Sequence, residues 1–91
     1  MEITFDPVKN TRNIRDRGLS FERAIDFDFE SATFDADKRR DYGEDRITAI
    51  GLLRGLPHVL IFTMRGDVMR VISFRKANKR EVNRYEKTTR S

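Results

Sequence analysis

Arg65, Arg70 and Arg75 recur at five-residue spacing, and Glu81 and Tyr85 follow close behind them. These are residue types with a shared chemistry. Arginine forks hold a phosphodiester bidentately and offset the charge it gains in a transition state. A carboxylate or an unprotonated basic group can take the proton of a ribose 2′-hydroxyl, and a phenol or a cation can protonate the leaving oxygen. The set matches cleavage of RNA by its own 2′-hydroxyl, which requires no metal. Glu81 and Tyr85 lie four residues apart and project from one face of a helix. The arginine spacing is the difficulty. Strict alternation sends Arg70 and Arg75 to opposite faces of a strand, and only a bulge or a strand end re-aims one of them.

Each residue also has a plainer reading. Arg65 beside Gly66-Asp67 suits a solvated turn. Arg70, a lone charge inside an apolar strand, wants a partner or a ligand. Glu81 stands three residues after Asn78, the spacing of a capping box. Tyr85 can anchor an otherwise polar helix with its ring. Lys76, Lys79 and Arg80 either solvate the approach to that helix or hold phosphates. His58, after Pro57, reads as structural.

The elements that must position these groups follow from pattern and punctuation. Residues 2–5 alternate as a short strand. Asp6-Pro7 reads as an N-cap with proline at the first helical position, starting a polar helix over Pro7–Arg17 that Gly18 stops. Ser20 caps a second helix over Phe21–Phe27, with Phe21, Ala24 and Ile25 as its apolar stripe. Residues 28–45 are the least regular, with a short strand near Ser31–Phe34 and a turn at Tyr42-Gly43. Arg46–Leu53, His58–Met64 and Val68–Arg75 are β-branched, apolar runs of strand length. Their short turns at residues 54–57 and 65–67 force antiparallel neighbours. The middle run is apolar on both faces and suits a central strand. A last helix covers Lys79–Lys87, pinned by Val82 and Tyr85.

With 91 residues, 37% of them hydrophobic and 37% charged, the chain suits one domain over 1–91 with a thin core, much of it phenylalanine. The absence of cysteine excludes disulfide and thiolate-metal scaffolds, and the single histidine cannot build a histidine-rich metal site. No cofactor is expected. No apolar run approaches the length of a membrane span and no signal peptide is visible, so a soluble cytoplasmic protein is the expectation. Charge divides by position. Residues 1–45 carry eight Lys and Arg against twelve Asp and Glu; residues 46–91 carry eleven against three. The basic half predicts a polyanionic partner, most simply a nucleic-acid backbone.

Several motifs in order resemble the BrnT toxin family. They are Asp6-Pro7-x-Lys9, Gly18-Leu19-Ser20-Phe21-Glu22-x-Ala24, Tyr42-Gly43-Glu44-Asp45-Arg46, Thr63-x-Arg65, Arg70-Val71-Ile72-Ser73-Phe74-Arg75-x-Ala77, and Glu81 with Tyr85-Glu86. The resemblance covers nearly the whole chain. It implies a ribonuclease toxin of RelE-like fold that arrests translation by cutting RNA. It also implies a BrnA-like ribbon-helix-helix antitoxin, and operator DNA bound only through their complex. Arg65, Arg70 and Arg75 match the family's sheet arginines, Glu81 and Tyr85 its C-terminal helix, and Lys9, Glu44 and Arg46 its upstream charged positions. Two positions depart from the family: Asp16-Arg17-Gly18 replaces Lys-His-Gly, and Arg40 stands where relatives have histidine. Arginine there can hold phosphate but is a poor proton acceptor.

The expected architecture is α+β: two N-terminal helices, a twisted antiparallel sheet of three to four strands, and a C-terminal helix. Arg65, Arg70, Arg75, Glu81 and Tyr85 are the expected catalytic set. Lys9, Arg40, Arg46, Lys76, Lys79 and Arg80 are the expected RNA-binding set, with no metal ligands. The alternative is a non-catalytic RNA-binding or antitoxin-binding module. The scarcity of tyrosine and the lack of tryptophan for base stacking count against an RNA-binding sheet of that kind.

Overall fold

A computed structural model describes residues 1–39 and 41–90. The chain runs β1 (Glu2–Phe5), α1 (Pro7–Arg17), a 3-10 helix (Phe21–Asp26), β2 (Thr33–Ala36), β3 (Ile47–Leu53), β4 (Leu56–Arg65), β5 (Val68–Lys76) and α2 (Lys79–Thr89). The α+β class and the central position of β4 are as expected. The sheet is larger and mixed rather than antiparallel. Its order is β1-β5-β4-β3-β2, and β1 runs parallel to β5. The second N-terminal helix is of the 3-10 type. Its three-residue repeat stacks Phe21 and Ala24 into the core and leaves Ile25 58% exposed, so the expected three-residue stripe loses one member.

Local signals explain the boundaries. Asp6 caps α1 through its side chain to the Val8 N–H, and Gly18 ends it with φ +64°. The β3–β4 hairpin turns on Arg54 and Gly55, both at positive φ, the geometry of a tight hairpin whose twist matches its strands. β1 pairs only with Val68–Val71 of β5. Beyond it, α1 takes over that edge, where the Asn13 amide donates to the carbonyls of Phe74 and Leu19 at 2.9 and 2.8 Å. That contact blunts an edge otherwise open to pairing.

The two faces of the sheet differ. One packs against the 3-10 helix and carries the larger core: Phe21, Phe27, Phe62, Met69, Val71 and Phe74 are buried there. Edge-on ring contacts link Phe27 to Phe29 and to Phe74. The other face carries a small cluster of Ile50, Val59 and Ile61, closed by Tyr85 from α2. From there α2 touches β2 and β3 and reaches β5 through the Glu81–Arg75 pair.

Candidate active site

A β-bulge decides which arginines meet. Ile61 pairs with Ser73 but Phe62 pairs with Val71, so Ile72 is the extra residue of β5. One added residue reverses the alternation beyond it. Met69, Val71 and Phe74 therefore all enter the larger core. Arg70 and Arg75 both turn to the α2 face, where their strand partners are Thr63 and Val59. Arg65, in register with Val68, lies on that face as well.

Arg75 and Glu81 form the tightest ion pair of the site. Both guanidinium nitrogens donate to the carboxylate at 2.8 Å, and Glu81 Oε1 also accepts the Asn78 N–H at 2.9 Å. Asn78 returns a bond to the Glu81 N–H, completing the capping box. Glu81 thus caps the helix and grips the arginine together. The Arg75 fork holds the Glu81 carboxyl below its usual range, with partial burial opposing, and Glu81 in turn raises Arg75. Next to this pair a cleft of about 450 Å³ opens between α2 and residues 35–39, floored by Ile50, Val59 and Ile61, with Arg80 and Arg84 on its helical wall.

Arg65 and Arg70 lie outside that cleft, further along the same face. There Glu44 sits between two guanidiniums, 3.5 Å from Arg65 and 3.7 Å from Arg46. Arg46 also stacks over Tyr42, 3.9 Å from its ring centroid. Thr63 fastens this end of the loop by donating to the Asp45 carbonyl at 2.6 Å. Arg70 has no ion-pair partner among the described residues.

The remaining expected residues are scattered. Tyr85 is 7% exposed, and its hydroxyl donates to the Ser31 carbonyl at 3.3 Å, tying α2 to the approach of β2. Lys76 pairs with His58 in register and faces the opposite side, lining a separate hollow with Arg17. Lys9 borders a shallow hollow beside the bulge, with Arg12 and Asn13. Lys79 lies on the outer side of α2, beside Arg80 and Arg84. Arg40 lies outside the described residues. Arg84, which pairs with Asp35 at 3.5 Å, is a cleft residue that the expected set omits. Its position four residues after Arg80 was the available signal.

Among curated proteins none matches the chain. A family model does match, over residues 5–81, from just before α1 to Glu81 itself, and it takes in the bulged strand and all three sheet arginines. The chain belongs to that family, described as the ribonuclease toxin, BrnT, of type II toxin-antitoxin systems.

Proposed function

We propose that the α2 face binds an RNA strand and cleaves it by attack of the 2′-oxygen on the adjacent phosphorus, with no metal ion. The observation that carries this reading is the bulge at Ile72, which puts Arg70 and Arg75 on one face. Arg75 and Arg70 neutralise the phosphate as the bond to the 5′-oxygen breaks, leaving a 2′,3′-cyclic phosphate and a 5′-hydroxyl. Phosphate competes with Glu81 for the Arg75 fork. Release from that fork restores proton affinity to Glu81, which then accepts the 2′-hydroxyl proton. Tyr85 holds α2 in place, and water at the open face protonates the leaving oxygen.

The biological setting we propose is the one the family resemblance implies. The partner that restrains the toxin is a BrnA-like ribbon-helix-helix antitoxin, and the pair represses its own operon through the antitoxin's hold on operator DNA. The acidic first half of the chain offers a surface for a basic antitoxin segment. Cleavage takes place in the cytoplasm and stops translation and growth. No helix among the described residues is long and apolar enough to cross a membrane.

Purified protein incubated with total RNA in a chelator tests the reading. We expect fragments with cyclic phosphate ends. Intact RNA at saturating protein, with RNA still bound, would replace the nuclease by the binding-module alternative.

A further inference from the structure

At the end of the face remote from Arg75, two guanidiniums flank one carboxylate. Glu44 lies 3.7 Å from Arg46 and 3.5 Å from Arg65, against 2.8 Å for each contact in the Arg75–Glu81 fork. Charge-assisted hydrogen bonds close to about 2.7–2.9 Å, so Glu44 is a loosely held counterion. Neither Asp45 nor Asp67 forms an ion pair with either arginine among the described residues. The Nε of Arg46 is buried with no hydrogen-bond partner among the described residues, an expensive state for a charged donor. Stacking on Tyr42 fixes the plane of that fork. The site is oriented, over-charged and under-bonded.

We propose that Arg46 and Arg65 form a second phosphate subsite for the RNA strand, away from the scissile phosphate, and that Glu44 fills it as an internal stand-in until RNA arrives. This rests on reading the face as one that cleaves RNA. Arg65 lies six β4 residues from Val59, the strand partner of Arg75, about 20 Å of strand. That separation suits two phosphates of a strand laid along the face rather than one. Glu44 follows Gly43, whose φ of +73° places it in a turn, and the carboxylate can leave for solvent when phosphate oxygens complete the bonds it makes poorly. The subsite fixes the register of the strand and so the position of the cut.

A short RNA oligonucleotide with every ribose 2′-O-methylated binds without being cut and serves as the probe. Glu44→Gln removes the competing charge, and we expect this variant to bind the probe three- to tenfold more tightly at low salt. Arg65→Gln, at a side chain 61% exposed, should fold normally and bind more weakly, with the salt slope reduced by about 0.7. A Glu44→Gln variant of native melting temperature that binds no more tightly, or an Arg65→Gln variant with an unchanged salt slope, overturns the subsite. Inorganic phosphate is the second probe: tightening toward phosphate alone would assign the site to a free anion and overturn the RNA assignment. Because the oligonucleotide cannot be cleaved, the tests separate. Tighter binding by Glu44→Gln in a protein that fails to cut natural RNA would remove the nuclease reading and leave the subsite.

Discussion

The Glu81 carboxylate accepts three hydrogen bonds, two from Arg75 and one from the Asn78 N–H, and they hold its pKa below that of an unfolded glutamate. A folded-state pKa that is depressed stabilises the protein above the unfolded value, and that contribution is lost as pH falls through the folded one. Thermal melts should therefore drop steeply below about pH 4, and Glu81→Gln should melt lower at neutral pH with a shallower acid decline. Parallel acid profiles for the two proteins would show that the pair contributes nothing. Tyr85 gives a cleaner division of roles. Tyr85→Phe keeps the buried ring and should retain RNA cleavage within a few-fold, whereas Tyr85→Ala should cost about 3 kcal/mol in denaturant melts. Loss of cleavage in a stable Tyr85→Phe protein would return the phenol to the catalytic set. The double use of Glu81 was visible in its spacing from Asn78. The commitment of Tyr85 to Ser31 was not, because the two lie 54 residues apart and meet only once α2 crosses the sheet.

At the level of elements, β3, β4, β5 and α2 were legible because apolar runs, tight turns and a capping box all point one way. The parallel pairing of β1 was not. A four-residue strand holds no record of a partner more than sixty residues on, and parallel pairing depends on the intervening chain crossing over. The bulge was invisible for a related reason: it is a mismatch between two strands and belongs to neither sequence alone. Sequence reasoning named it as the condition for a shared site, and register supplied it. A second close fit sits in β3. A Cβ on Gly51 would lie 2.7 Å from Phe27 Cζ and 2.8 Å from Ala32 Cβ. Gly51→Ala should therefore destabilise the fold by about 1–3 kcal/mol in denaturant unfolding. An unchanged midpoint would mean that the Phe27 ring moves aside freely.

Across the whole molecule the acidic and basic halves of the chain meet on one face of the sheet. The larger core occupies one face, and the sheet arginines gather on the other, with α2 across one part and residues 44–46 against another. Of the sheet arginines, Arg75 holds Glu81 and Arg65 holds Glu44, while Arg84 of α2 holds Asp35. On the proposed reading, RNA binding exchanges those carboxylates for phosphates. Arg70 is the exception, with no ion-pair partner among the described residues, so its removal breaks no ion pair in the free fold. The most direct measurement is the rate at which Arg70→Ala cuts RNA in chelator beside the unaltered protein, with melting temperatures recorded for both. The account predicts a rate lower by about 10²–10³ at nearly unchanged melting temperature. An Arg70→Ala protein that cuts as fast as the original would contradict it.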